Sequence, residues 1–212
     1  MLAIVDYGMG NLKSVANALE GLSAEVTLTR DSSVIEQAEG IILPGVGAFG
    51  EGMRNLHTFG LVDVLRREVI EKKKPYLGIC LGLQFLAHTG YEDGESRGLG
   101  WVNGTVKLIE PKGDGYKVPH MGWNNVKILK KSEIFAGLKD DPVFYFVHSY
   151  GLELDPSEES IVTSVAEHGC RIIASIQKGH IFATQFHPEK SQSAGLMVLK
   201  NFISYCKSHA QA

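Results

Sequence analysis

A cysteine flanked by glycines has the make-up of a reactive group. Residues 78–82 read Gly-Ile-Cys-Leu-Gly with Cys80 at the centre, between a predicted strand at 75–80 and a predicted helix at 81–88. This is the cysteine form of the nucleophile elbow, a tight turn that needs small residues two positions on either side. The helix start after it favours the thiolate. The motif predicts that Cys80 is a nucleophile, although a packed structural cysteine fits it equally well.

His187 and Glu189 supply what such a thiol needs. His187 follows a predicted strand at 180–186, and Pro188 stiffens its link to Glu189. A nucleophilic thiol requires a base, and the base requires an orienting partner. Alone, His-Pro-Glu would be a surface turn, and two ligands are too few for a metal site. With the elbow, the pattern predicts a Cys80–His187–Glu189 triad.

A glycine loop at 45–50 formally matches G-x-G-x-x-G. A dinucleotide site is not predicted, because Pro44 intervenes after the strand and no acidic residue ends a strand about 20 positions on. The N–H groups near Val46 and Gly47, with that of Leu81, are instead predicted to form an oxyanion hole, the alternative being a plain turn.

Gln84 lies one helical turn after Cys80. Residues four apart share a helix face, so Gln84 could reach a polar group of a substrate bound at the thiol. A solvent-exposed helix face is the alternative explanation.

The elements that must position these residues change in character along the chain. The first half alternates apolar strands with helices, and the second half is rich in strands separated by turns. The fold predicted is α/β, with a mixed, mostly parallel sheet flanked by helices and an antiparallel extension, in one domain over 1–212. The remaining predicted strands are 2–5, 25–29, 40–43, 100–108, 124–129, 142–148, 160–167 and 171–177, and the remaining predicted helices are 11–21, 59–73 and 194–207.

Composition excludes several classes of function. The 212 residues carry 44% apolar residues, 21% charged residues and a formal charge of −3, so neither a nucleic-acid partner nor a membrane partner is expected. The three cysteines have no disulfide-like spacing, which favours a reducing cytoplasm. No metal and no cofactor is predicted.

Residues 78–84 together with 187–189 resemble the class I (triad-type) glutamine amidotransferases, which share a flavodoxin-like fold. The resemblance implies that L-glutamine is hydrolysed to glutamate and ammonia through a thioester on Cys80. It also implies that Gln84 and Glu92 hold the amino-acid end of glutamine. Ser149 and Tyr150 match further positions that contact the substrate.

Four further segments narrow the resemblance to the branch of glutaminase subunits in imidazole glycerol phosphate synthases. That branch implies a heterodimer with a (β/α)₈ cyclase subunit, which receives the ammonia through a channel for histidine biosynthesis. The matching segments are residues 6–11, 43–49, 119–124 and 187–191. The positions that would face the cyclase are Tyr7, Asn11, Met121, Trp123 and Lys190, although core packing is an alternative for Met121 and Trp123.

Other functions remain open on the sequence. An amidotransferase subunit of another synthase would share the triad, and so would a related hydrolase or peptidase that acts without a partner. A non-catalytic flavodoxin-like binding module with an inert cysteine belongs to a different class. It would be insensitive to alkylation of Cys80.

Overall fold

The computed structural model describes residues 1–209. The predicted domain of residues 1–212 also includes 210–212, which lie outside the described residues. The strands are β1 (Leu2–Val5), β2 (Val26–Thr29), β3 (Gly40–Gly45), β4 (Tyr76–Cys80), β5 (Thr89–Gly90), β6 (Ser96–Arg97), β7 (Gly104–Leu108), β8 (His120–Ile128), β9 (Val143–His148), β10 (Tyr150–Leu154), β11 (Val162–Glu167), β12 (Arg171–Lys178) and β13 (Ile181–Thr184).

The helices lie mainly in the first half and at the C-terminal end. They are α1 (Leu12–Glu20), α2 (Ser32–Gln37), α3 (Phe49–Thr58), α4 (Leu61–Leu65), α5 (Leu81–Gln84) and α6 (Gln192–His209), with a π-helical segment at Arg66–Glu71 and 3₁₀ turns at Glu133–Phe135, Pro156–Ile161 and Pro188–Lys190. Within residues 1–209, no helix is both long and apolar enough to span a membrane.

The large sheet has a parallel half and an antiparallel half. Its strand order is β2-β1-β3-β4-β13-β12-β11-β8-β9. The strands from β2 to β13 run parallel, and each neighbouring pair from β13 to β9 is antiparallel. A smaller sheet has the order β10-β7-β5-β6. The predicted mixed α/β fold with an antiparallel extension is confirmed.

Apolar side chains cover both faces of the parallel half. In β1, Ala3 and Val5 point to one core, while Leu2 and Ile4 point to the other. Side chains alternate between the two faces of a strand, so a strand that is buried on both sides must be apolar throughout. Helices α3 and α4 cover the first face, and α1 and α6 cover the second.

The predicted helices differ from the observed ones where glycine and long-range contacts intervene. The predicted helix over 59–73 begins at Leu61 instead, after Gly60 with φ 66°, and it becomes π-helical over Arg66–Glu71. The predicted helix over 81–88 is wrong in length, because α5 ends at Gln84. The carbonyl groups of Phe85 and Leu86 accept hydrogen bonds from the N–H groups of Leu99 and Trp101 instead of continuing a helix.

Some elements were not predicted at all. Helices α2 and α3 and strands β5, β6 and β10 are absent from the prediction, and β8 begins at His120 rather than at residue 124. The first residues of β8 pair with β9, where His120 lies opposite His148. Pairing with a distant strand therefore extends β8 beyond the apolar run visible in the sequence.

Candidate active site

The site lies where three neighbouring parallel strands end. Strand β3 ends at Gly45, opposite Cys80 at the end of β4. Strand β13 pairs Thr184 with Ile79, so the residues that follow Thr184 run beside Cys80. The carboxyl ends of parallel strands share one edge of the sheet, which is where α/β proteins bind ligands. The fold thus brings the elbow, the glycine loop and the segment that carries His187 to one edge.

Cys80 occupies a strained turn. Its φ of 55° and ψ of −104° are rare for a residue with a side chain. The flanking glycines permit this turn, since a Cβ on Gly82 would lie 1.8 Å from the Leu43 carbonyl oxygen and one on Gly78 would lie 2.5 Å from the Gly82 carbonyl oxygen. Backbone therefore occupies the space where either side chain would go. The requirement for small residues at these two positions has a direct steric cause.

His187 and Glu189 form a buried pair. His187 Nδ1 and Glu189 Oε1 are 2.8 Å apart, and both side chains are almost fully buried. The His187 backbone N–H donates to the Tyr145 carbonyl oxygen. Ser191 Oγ donates to the carbonyl oxygen of His187 at 2.6 Å. Hydrogen bonds to both the side chain and the backbone of His187 therefore fix the position of its imidazole.

The electrostatics of His187 favour its charged form. Burial opposes the charge, but interactions with Cys80 and Glu189 outweigh it and raise the pKa of His187 to about 10. His187 Nε2 is nevertheless buried without a hydrogen-bond partner. The Cys80 sulfur is thus close enough to affect His187 but is not aligned as a hydrogen-bond acceptor for Nε2. A buried ring nitrogen left open beside a thiol can exchange a proton with a reacting group.

The glycine loop presents free backbone donors near the thiol. Within residues 1–209, the N–H groups of Val46 and Gly47 donate no hydrogen bond. Gly47 has φ 98°, a conformation that glycine adopts without strain. Leu81 begins α5, where N–H groups lack intrahelical acceptors. Because α5 has four residues, its dipole contributes less to the thiol than the longer predicted helix would.

A cleft of about 570 Å³ opens over Cys80. Glu92 accepts a hydrogen bond from the Phe49 N–H at 2.7 Å, and burial raises the pKa of its carboxyl. Gln84 is buried, and its Nε2 donates to the Tyr150 carbonyl oxygen at 2.8 Å, so the solvent-exposed alternative for Gln84 is wrong. The predicted site residues that line the cleft are Val46, Gly47, Cys80, Leu81, Gln84, Glu92, Ser149, Tyr150 and Lys190.

Comparison with known proteins identifies the family of this chain. The model of the family described as "Glutamine amidotransferase class-I" matches residues 3–205. The chain belongs to the class I glutamine amidotransferases. Curated relatives of this amidotransferase include the protein named "Imidazole glycerol phosphate synthase subunit HisH" from Aquifex aeolicus (strain VF5), which is 50% identical over 94% of each chain. The protein of the same name from Moorella thermoacetica is 50% identical over 95% of this chain and 93% of its own.

Solved structures share the fold of this amidotransferase. A protein from Thermoplasma acidophilum, described as a putative GMP synthase subunit, has a TM-score of 0.76 at 22% identity, covering 99% of this chain and 95% of its own. A structure described as a glutamine amidotransferase has a TM-score of 0.72 at 19% identity, covering 100% and 99%.

The five positions expected to face a partner separate into two groups. Asn11, Met121, Trp123 and Lys190 are exposed, with Met121 at 65% and Trp123 at 50%. The core-packing alternative for Met121 and Trp123 is therefore wrong. Tyr7 is fully buried, and its ring packs edge-on against Phe85. The prediction that the Tyr7 side chain faces a partner is contradicted, because its ring, two residues after the end of β1, lies in the core of this amidotransferase.

Two features near the thiol were not found from the sequence. Gln185 is buried, and its Nε2 lies 3.5 Å from the Cys80 sulfur. His148 lines the cleft, and its Nε2 forms a hydrogen bond with His120 Nδ1 at 3.0 Å. Gln185 is a polar residue two positions before His187 in the mostly apolar predicted strand over 180–186, and this was a usable signal because residues two apart in a strand share a face. The contact between the two histidines depends on the pairing of β8 with β9, which carries no local signal.

Proposed function

We propose that this amidotransferase hydrolyses L-glutamine to glutamate and ammonia, as the single-domain glutaminase subunit of an imidazole glycerol phosphate synthase. One observation carries the proposal: Cys80 stands on a strained elbow beside the buried His187–Glu189 pair, at a cleft of about 570 Å³. A nucleophile, a base and an orienting carboxylate are the groups that covalent amide hydrolysis requires.

The first half-reaction forms a thioester. The raised pKa of His187 supports an imidazolium beside a Cys80 thiolate. The sulfur attacks the side-chain amide carbon of glutamine, and the carbonyl oxygen becomes an oxyanion. The free N–H groups of Val46 and Gly47, with that of Leu81, would stabilise this charge. His187 Nε2 then gives its proton to the amide nitrogen as the C–N bond breaks, and ammonia leaves.

The second half-reaction restores the enzyme. Neutral His187 takes a proton from water, which attacks the thioester carbon. The carbon–sulfur bond breaks, glutamate leaves, and the thiolate and imidazolium are regenerated. Glu189 keeps Nδ1 as the donor throughout, so Nε2 faces the reacting groups.

The cleft walls supply the polar groups for the amino-acid end of glutamine. Glu92 is held by the Phe49 N–H through one carboxylate oxygen, which supports a role for the carboxylate toward the substrate ammonium group. Ser149 and Tyr150 also line the cleft. We assign Gln84 to the same end of the substrate, since it is fixed by the Tyr150 carbonyl oxygen.

The ammonia is proposed to pass to a (β/α)₈ cyclase subunit in a heterodimer. The relatives at 50% identity are named as subunits of a synthase, which supports a partner for this chain. Met121 and Trp123 project from β8 as exposed apolar side chains, and large exposed aromatic side chains are frequent interface anchors. Asn11 and Lys190 complete the proposed contact surface. We also infer a cytoplasmic location, supported by the three free cysteines.

Glutamate release tests the proposal. The protein is mixed with glutamine alone, and then with glutamine, the cyclase and the ligand of the cyclase. We expect release to be strongly stimulated in the complete mixture and to fall by at least about 10³-fold in Cys80→Ala. Cys170→Ala is the matched control, since this partly exposed cysteine lies outside the triad and its variant should retain the wild-type rate.

The outcomes separate the alternatives. Equal rates with and without the cyclase would favour an independent hydrolase over a synthase subunit. Full activity in Cys80→Ala would overturn the thioester mechanism. No glutamate release by the wild-type protein under any condition would favour the non-catalytic binding module.

A further inference from the structure

Gln185 lies against the proposed nucleophile although the mechanism above gives it no role. It follows β13 directly, and extension of the β13–β4 register places it beside Cys80. Its backbone N–H donates to the Ala174 carbonyl oxygen at 2.9 Å, which fixes it to β12. Its side chain is fully buried, with Nε2 3.5 Å from the Cys80 sulfur. The side chain thus approaches the sulfur from the β13 side of the elbow.

A chain of hydrogen bonds determines which end of the Gln185 amide faces the sulfur. The Tyr150 carbonyl oxygen can only accept, so the Gln84 amide nitrogen must point toward it, at 2.8 Å. The same nitrogen lies 3.1 Å from Gln185 Oε1 and donates its second hydrogen there. Gln185 must therefore turn its own NH₂ group toward Cys80. The reversed orientation would set two donors against each other between the glutamines.

We infer that Gln185 is a further catalytic residue, whose amide N–H donates to the Cys80 sulfur and holds it as the thiolate before glutamine binds. The inference rests on the proposed function, in which this sulfur attacks the amide. A hydrogen bond to a charged group favours the charged form, and a buried anion requires such donors. The other hydrogen-bond contact of the sulfur is with the Val147 carbonyl oxygen, at 3.9 Å; a neutral thiol can donate to it, but it does not stabilise a negative charge.

A purely structural role predicts a different result. Gln185 also accepts a hydrogen bond from Gln84. Replacement of Gln185 would therefore disturb the packing behind the cleft, whether or not it affects the sulfur. Such disturbance lowers stability but leaves the pH dependence of thiol reactivity in place. The pH profile of alkylation therefore distinguishes a donor to the thiolate from a packing group.

The test measures alkylation of Cys80 by iodoacetamide across a pH series, without glutamine. Peptide mapping separates Cys80 from Cys170 and Cys206. Gln185→Met keeps the length of the side chain and removes the donor. We expect the midpoint of the profile to move up by about one pH unit, and alkylation below the midpoint to slow by about tenfold.

Two further variants make the test decisive. Gln185→Glu keeps an acceptor for Gln84 but replaces the donor with a carboxylate, so its midpoint should move up at least as far, and it serves if Gln185→Met does not fold. Thr184→Val is the matched control: Thr184 is buried, and its Oγ1 donates to the Phe186 carbonyl oxygen at 2.9 Å rather than to the sulfur. It should keep the wild-type midpoint.

Wild-type midpoints in the folded Gln185 variants would overturn the inference, as would an equal upward shift in Thr184→Val. Failure of the proposed function is a separate result, since alkylation does not require glutamine. Normal glutamate release with unshifted Gln185 profiles would sink the inference alone. A shifted profile in a protein that never releases glutamate would sink the proposed function alone.

Discussion

At the scale of single residues, His148 at the cleft and its neighbour His120 are each held in one tautomer. His148 Nδ1 lies 2.9 Å from the Tyr150 carbonyl oxygen, which only accepts, so this nitrogen carries the proton. His148 Nε2 then accepts from His120 Nδ1, and His120 Nε2 accepts from the Asn124 amide at 3.1 Å. Both rings are neutral in this arrangement, and a proton added to either breaks a hydrogen bond.

These histidines predict a loss of stability in acid. Burial, followed by repulsion from neighbouring histidines, lowers the pKa of His120 to about 3, and burial lowers that of His148 to about 4. In the unfolded chain both bind protons near pH 6.5. Their contribution is therefore complete above about pH 6.5. It is lost as the pH falls toward 4 and then 3, at up to about 1.4 kcal/mol per pH unit for each histidine.

Urea unfolding at a series of pH values measures this loss. His120→Gln removes one of the two groups. Between pH 6.5 and pH 4, we therefore expect the variant to keep about half of the pH dependence of the unfolding free energy that the pair causes in the wild type. His57→Gln, at an exposed histidine on α3, is the control and should keep the wild-type slope. An unchanged slope in His120→Gln would contradict the tautomer chain.

At the scale of elements, the strand–elbow–helix unit depends on the close approach of two backbone segments. The start of α5 packs so tightly against β3 that a Cβ on Gly82 would lie 1.8 Å from the Leu43 carbonyl oxygen. The atom in the way is backbone, which cannot rotate aside. The elbow is therefore a property of β3, β4 and α5 together, although its motif is local.

Gly82→Ala should destabilise the protein by about 3 kcal/mol, because β3 and α5 must separate to admit a methyl group. Gly21→Ala is the matched control, since Gly21 has φ −60° at the end of α1, and its variant should stay within about 1 kcal/mol of wild type. Chemical denaturation of the two variants measures the difference. Equal stability would show that the elbow can relax at little cost.

At the scale of the whole molecule, one pair of strands connects the cleft with the exposed apolar side chains. The β8–β9 pair forms one border of the large sheet and carries both Trp123 and the cleft residue His148. A partner on β8 would therefore lie near the cleft that releases ammonia. Strand β2, with exposed Leu28, forms the opposite border.

Trp123→Ala should weaken association with the cyclase subunit by about 2 kcal/mol, or about 30-fold in Kd, because the indole is the largest exposed apolar group of the proposed surface. Calorimetric titration with the cyclase measures Kd. Leu28→Ala truncates an apolar side chain of similar exposure at the opposite border and should bind as wild type. If Leu28→Ala weakened binding and Trp123→Ala did not, the cyclase would bind at the β2 border of the sheet, and the proposed surface on β8 would be wrong.

The sequence by itself determined the features that have local causes. The glycines around Cys80 identify the elbow because they are adjacent to it, and alternating strands and helices identify the α/β class because periodicity is local. His187 and Glu189 are two residues apart, so their pairing was also readable. The prediction failed at α3, which forms although Gly50 and Gly52 disfavour a helix locally. It also failed at α5, because the N–H groups of residues 99–102 bind the carbonyl groups that follow this helix.

Only the tertiary structure decided which side of the molecule each side chain faces. It buried Tyr7, exposed Met121 and Trp123, set Gln185 beside Cys80, and linked His120 to His148. Each of these outcomes depends on which strands are neighbours and in what register. Such pairing joins residues far apart in the chain, and its free energy comes from contacts that exist only once the sheet has formed.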